Sequence, residues 1–285
     1  MSAPTEAAVP TGPAPPHSAP LPRLLGSELL WVLRRPRTLV LLGVFGLIPV
    51  LIAIGGAVGD RSAPGLIGAI AGNGLVLPVA AMTIALALLL PLAVAMAAAD
   101  AIAGESAQGT LRGLLIAPVS RLRLVGMKAF GVLVVATLAT SAIAVVGVLA
   151  GLCVVGTANG QLVTLSGSTL SWAAALARVA LVVVWTIGQL AAVGAVSLAI
   201  SAVTDHPLVV LAAVLGGLIV FGVLSAIPAL DWLQPFLLTT GWRAGADALR
   251  DPLPWDGMVE SSWRAGCYLL IGGALTVVRM LRRDA

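Results

Sequence analysis

Residues 129–155 read AFGVLVVATLATSAIAVVGVLAGLCVV, a stretch that contains no Asp, Glu, Lys or Arg. About 20 mostly apolar residues in a helix suffice to cross the roughly 30 Å hydrocarbon core of a bilayer. This stretch exceeds that length, and no soluble fold needs so long a helix that is apolar on every side. The rest of the 285 residues agrees: 59% are hydrophobic and 10% are charged, against about 25% charged in a soluble domain. Mean hydropathy is +1.07. The 32 Gly and 18 Pro carry no collagen period, and no long polar run follows residue 22, so fibre and disordered classes are excluded. An all-α, polytopic membrane protein remains.

Working outward, five further stretches meet the length rule: Leu39 to Val58, Leu75 to Ala99, Val179 to Val203, Leu208 to Ile227, and Trp263 to Leu281. The last needs Arg264 and Arg279 to snorkel toward opposite interfaces. Pro78 and Pro91 are the expected kink points of the second span. Before the first span, Leu21, Leu24, Leu25, Leu29, Val32 and Leu33 recur at helical spacing among Arg23, Ser27, Arg34 and Arg35, which predicts an amphipathic helix over 21–37 lying on the membrane surface. The proline-rich residues 1–20 lack the charged and apolar regions of a signal peptide and are expected to form a disordered tail. The six-helix domain is then 38–285.

Six spans place both termini on one side, and the basic residues sort accordingly. Arg23, Arg34, Arg35, Arg37, Arg112, Arg121, Arg123, Lys128, Arg279, Arg282 and Arg283 fall inside. Only Arg61, Arg178, Arg243, Arg250 and Arg264 fall outside. Both termini are therefore expected in the cytoplasm of a cell that carries this chain in its cytoplasmic membrane; the Arg- and Ala-rich composition suggests a GC-rich bacterium. The pI of about 10.0 reflects these clusters and implies no nucleic-acid partner. The outer loop 228–262 holds Trp232, Trp242 and Trp255, with Trp263 next to it, which reads as an aromatic belt with short amphipathic helices, the alternative being a substrate gate.

The chemistry the chain lacks is equally informative. Asp100, Arg178, Asp205 and Arg279 lie at span ends, while the interiors hold mild polar groups such as Gln189, Ser197 and Thr83. Ion- and proton-driven carriers usually keep a charge at mid-membrane, so that class is disfavoured. There is no HExxH, no GxSxG and no phosphate loop of the form GxxxxGK[ST]; the only lysine, Lys128, sits in RLVGMKAF. No catalytic residue and no metal site can be named, since His17 and His206 are too few for a cage and Cys153 and Cys267 form no CxxC pair. Whether those cysteines bridge to each other is open. Any energy for transport must come from another protein.

The place to receive it is the inner loop Asp100 to Lys128, DAIAGESAQGTLRGLLIAPVSRLRLVGMK. Leu111, Leu114 and Leu115 form a stripe at i, i+3 and i+4, predicting a short amphipathic helix over about 104–117. Pro118 would end it and Ser120 would cap the next helix. The other inner turn, Thr204–Pro207, reads as a tight turn in which Thr204 or Asp205 caps the fifth span.

This segment resembles the pattern E-x-x-x-G-T-L-x-x-L-L-x-x-P-x-S-R-x-x-x-x-x-x-K of permease subunits in the type-2 family of ATP-binding-cassette (ABC) transporters. The matching residues are Glu105, Gly109, Thr110, Leu111, Leu114, Leu115, Pro118, Ser120, Arg121 and Lys128. The similarity extends over about residues 21–285: a surface helix, six spans, a long outer loop before the last span and a basic tail. It implies the architecture of a type-2 ABC exporter permease, with a coupling helix that docks on a separate cytoplasmic P-loop ATPase. Two ATPase copies, which carry the ATP and Mg, would serve two permeases. In this reading Glu105 pairs with a basic residue of the ATPase or with a helix N-terminus, the leucines fill an apolar notch, and Pro118 and Arg121 set the angle into the third span. The resemblance also implies a pathway along the second and fifth spans, for instance at Met82, Leu86 and Phe221. Their mostly apolar lining suits a lipophilic cargo such as a drug, antibiotic or lipid. The rival readings are an ATP-independent carrier or channel, and a non-transporting scaffold or immunity protein.

Overall fold

A computed structural model describes residues 36–58, 73–107, 120–155, 162–164 and 166–282, together with Gly26, Leu29, Leu30 and Arg34. The expected tail, nearly all of the surface helix and residues 108–119 lie outside the described residues. Six helices are long and apolar enough to cross a membrane, as the sequence predicts. They are α1 (Pro36–Val58), α3 (Leu89–Ala107), α4 (Arg121–Ala150), α5 (Trp172–Ser201), α6 (Pro207–Ser225) and α8 (Trp255–Arg282). A shorter apolar helix, α2 (Leu77–Leu86), precedes α3. The short helix α7 (Ala244–Asp247) lies between α6 and α8.

The second span is broken rather than bent. Leu88, with φ −151° and ψ −49°, separates α2 from α3. Proline at position 91 has no N–H for the carbonyl of Ala87, and its ring would clash with that carbonyl in a continuous helix. The chain therefore restarts, and Leu92 donates to the Leu88 carbonyl at 3.0 Å. Pro78 does not kink anything: it sits in the first turn of α2, where its missing N–H costs nothing.

Buried side chains from α2, α3, α4 and α5 make up most of the core, and α8 lies along α5. Small residues let these helices approach closely, as expected where lipid supplies no hydrophobic drive for helix association. A Cβ on Gly272 of α8 would stand 2.7 Å from the backbone carbon of Ala195 in α5. Gly74, just before α2, and Gly151, just after α4, approach so closely that neither position has room for a side chain. By contrast α1 and α6 bury little of their surface; α6 buries only Val210 and Val214.

Three buried hydroxyls, Thr140, Ser197 and Thr276, each donate to the carbonyl four residues back. The only strands among the described residues are Leu162–Val163 and Thr169–Leu170, an antiparallel pair joined by a tight turn with Gly167 at φ 84°. That φ lies in the left-handed region, which glycine enters without the Cβ penalty.

Between α6 and α8 the chain forms two 3₁₀ segments, Pro228–Phe236 and Leu238–Arg243, and then α7. This segment packs down onto the bundle, burying Leu237, Leu238, Trp242 and Leu249. Trp232, Trp255 and Trp263 stay exposed, as an aromatic belt requires, whereas Trp242 is 6% exposed and belongs to the core. Helix α8 starts at Trp255, two turns before the span read from hydropathy. The side chain of Arg264 is only 10% exposed. Instead of snorkelling it donates to the Leu237 carbonyl at 2.8 Å, to Thr240 Oγ1 and to Glu260. Cys153 and Cys267 are both free and exposed.

Candidate functional site at the basic end of the bundle

One end of the bundle gathers the start of α1, the end of α3, the start of α4, the α5–α6 turn and the end of α8. The described residues stop at Ala107 on one side of the leucine-striped segment and resume at Ser120 on the other. Gly109, Thr110, Leu111, Leu114, Leu115 and Pro118 therefore lie outside them, and the geometry of the site is that of its two anchors, Glu105 and Arg121.

On the incoming side, α3 widens into a π-helical turn over Asp100–Gly104 before a last helical turn, Glu105–Ala107. Such a turn shifts the hydrogen-bond register and exposes backbone groups. Here the hydroxyl of Ser201, in α5, accepts from the amide N–H of Ala103 at 3.0 Å and reaches the Ala99 carbonyl at 3.5 Å. Ser201 itself is fully buried, so the irregular turn is held from inside the bundle.

Three contacts tie this turn to its neighbours. Lys128 Nζ, one helical face into α4, donates to Glu105 Oε1 at 2.5 Å, with side-chain exposures of 9% and 18%. Arg37, at the start of α1, pairs with Asp100 at 2.5 Å. Ser106 Oγ donates to Asp205 Oδ1 at 2.5 Å, in the turn before α6. The end of α3 is thus connected to α1, α4, α5 and the α5–α6 turn within seven residues.

On the outgoing side, Ser120 caps α4 by accepting from the Arg123 amide, as its position after Pro118 predicts. Arg121 Nη1 donates to the carbonyls of Met280 and Leu281 at 3.1 and 2.8 Å. A guanidinium on the last carbonyls of α8 satisfies acceptors that have no partner within that helix and complements its dipole. The α5–α6 turn behaves differently from the expected cap. Thr204 Oγ1 accepts from the His206 amide at 3.2 Å, Asp205 is engaged by Ser106, and α6 opens on Pro207 without a side-chain cap. Proline at the first helical position removes one of the donors that a cap would serve.

Sequence reasoning found Glu105, Arg121 and Ser120 but assigned no role to Lys128, Asp100, Arg37, Ser106 or Ser201. The signal for the first was present: the chain's single lysine and the only acid within the loop's motif flank the same short segment.

At the opposite, tryptophan-rich end a cavity of about 320 Å³ lies between the break in the second span and the fifth span, bordered by Thr83, Ala87, Leu218, Gly222, Thr239 and Arg243. Met82 and Leu86 are packed in the core at 0% and 1% exposure. Phe221 stacks edge-on against Tyr268 at 6.4 Å between centroids. The faces of α2 and α6 that border this cavity are thus those of Thr83 and Gly222.

Six membrane-length helices define a multi-pass membrane protein. Residues 24–241 match the model of a family described as ABC-2 family transporter protein. The match covers most of the chain, which belongs to that family; its members are membrane-embedded permease subunits of ABC transporters that work with an ATP-binding subunit. No curated protein matches the chain.

Proposed function

We propose that this chain is the non-catalytic permease of an ABC exporter. Two copies, or one copy and a related chain, pair around a central path in the cytoplasmic membrane and move a lipophilic cargo. A separate cytoplasmic P-loop ATPase, two per complex, supplies ATP and Mg chemistry. The basic end of the bundle faces the cytoplasm, because Arg34, Arg37, Arg121, Arg123, Lys128, Arg279 and Arg282 cluster there and cationic residues remain on the cytoplasmic side during insertion.

The observation that carries the reading is the bracing of the leucine-striped segment at both of its ends. Glu105 is locked to α4 through Lys128, and Arg121 is locked to the end of α8. A partner that pulls on the chain between these two anchors acts on the helices to which they are tied. Leu111, Leu114 and Leu115 would fill the ATPase groove, with Gly109 and Thr110 opening the helix and Pro118 closing it. Nucleotide-driven closure of the ATPases then transmits through α3 and α4 to the path between the second and fifth spans.

The test is a mild-detergent pull-down from native membranes, with mass spectrometry of the proteins retained. A P-loop ATPase in stoichiometric amount, lost in a Glu105→Arg, Leu111→Asp variant that still inserts, is the expected result. Its absence from preparations in which the chain remains dimeric would exclude coupling.

A further inference from the structure

Helices α5 and α8 run parallel, in contact at Trp185 with Ser261 and again at Ala195 with Gly272. Along the Trp185 contact they border a groove of about 670 Å³, within the roughly 300–1,000 Å³ typical of small-molecule sites. Leu181, Val184, Gly266 and Leu269 form its walls, with Trp255 and Trp263 at the end nearer the interface. No charged side chain borders it. Gln189 does, and with Thr186, one turn before it on α5, it is a buried polar side chain without a hydrogen-bond partner among the described residues. It is 1% exposed, and neither its amide oxygen nor its amide nitrogen has a hydrogen-bond partner among the described residues. Trp185, one turn away, already spends its N–H on Ser261 Oγ.

A buried amide without partners costs on the order of 1–3 kcal/mol by protein mutational data, and no water in the hydrocarbon region relieves it. A residue that carries that cost on the wall of a groove has a ligand as its natural partner. The lining says which kind. A saturated acyl chain would fill the apolar walls and leave the amide unsatisfied. An anion or cation would meet no counter-charge in the groove.

We propose that this groove binds a neutral lipophile that carries a hydrogen-bond donor and acceptor side by side within its apolar body, as a mid-chain secondary amide does, and that the Gln189 amide pairs with both. The inference rests on the exporter reading, for which it names the class of cargo. It differs from the path between the second and fifth spans, since the groove opens sideways between the fourth and sixth.

The test uses the full chain alone in phospholipid nanodiscs, without any ATPase, and a diazirine-bearing N-octyldecanamide as photoprobe. Saturable labelling of peptides 181–191 and 255–269 is expected, at least tenfold weaker in Gln189→Leu. That variant removes an unsatisfied polar group, so its Tm should match or exceed that of the native chain. Gly266→Leu is the second variant: a Cβ at this glycine meets nothing within 4 Å, so the side chain fills the groove and should abolish labelling without touching the amide. If the first variant does not fold, the second decides. Equal competition by the matching all-carbon chain, or labelling that persists in both variants, overturns the proposal. So does a Gln189→Leu change that splits a dimer and leaves labelling intact, since the amide would then serve a second copy. Loss of labelling with an ATPase still captured from native membranes sinks this site alone, whereas labelling without an ATPase sinks the coupling reading.

Discussion

Lys128 Nζ and Glu105 Oε1 meet at 2.5 Å across the junction between the second and third spans, 23 residues apart in sequence and both largely shielded. The two charges flank the segment proposed to receive the ATPase, so the pair closes a ring in the chain that includes it. Half-buried pairs of this kind are costly to break one side at a time, because the surviving charge loses its partner while staying out of water.

Replacing Lys128 with Ala should therefore destabilise the chain by about 3 kcal/mol, read as a fall in Tm in detergent. The exchange Glu105→Lys with Lys128→Glu restores the pair and should recover most of that loss. If coupling depends on the ring itself, transport recovers with the exchange; equal stability of Lys128→Ala and the native chain would remove the pair from the account.

Arg121→Gln unhooks the start of α4 from the last carbonyls of α8. Those carbonyls face the basic end, where water replaces part of what is lost, so global stability should fall by only about 1 kcal/mol. Hydrogen exchange should report the change locally, with faster exchange in α8 near residues 278–282 and an unchanged pattern near Trp255.

Gly272→Val drives a branched side chain into the backbone of Ala195. Overpacking of this kind costs about 1–3 kcal/mol, and here the obstacle is backbone, which cannot rotate away. Lower Tm and weaker protection of the Trp185 region are the expected outcomes. Gly273→Val, at a neighbour whose added Cβ meets nothing within 4 Å, is the matched control and should leave both unchanged.

Arg264→Leu leaves the Leu237 carbonyl and Thr240 without their cation. The segment between α6 and α8 should loosen, and limited proteolysis from the tryptophan-rich side should cut within residues 228–243 several times faster. Arg178 should hold the later part of that segment, through the Ala248 and Arg250 carbonyls and Asp251.

The six spans were legible because mean hydropathy over 20 residues is a strong signal that packing does not alter. Their ends were less so. Trp255, Asp256 and Glu260 are polar enough to read as loop, yet they form the first turns of α8, where hydropathy is blind to a helix that rises above the bilayer. The prolines show the same limit: both lie within one apolar stretch, but only the position of each along the helix tells that Pro91 interrupts and Pro78 begins. Arg264 was read as a snorkelling cation because its partners, the Leu237 carbonyl and the Thr240 hydroxyl, lie 27 and 24 residues away, beyond any local pattern. At the basic end the motif marked Glu105 and Arg121, while Ser201 and Asp205 act through contacts with α3 that only folding creates.

The most direct test of the central claim places a photoreactive p-benzoylphenylalanine at Leu111 and irradiates membranes of cells that express the chain. An adduct with the mass of a P-loop ATPase, suppressed when Glu105 is replaced by Arg, is the predicted result. Adducts with lipid alone, unchanged by the Glu105 substitution, would contradict the account by placing the leucine stripe on the bilayer rather than on a motor.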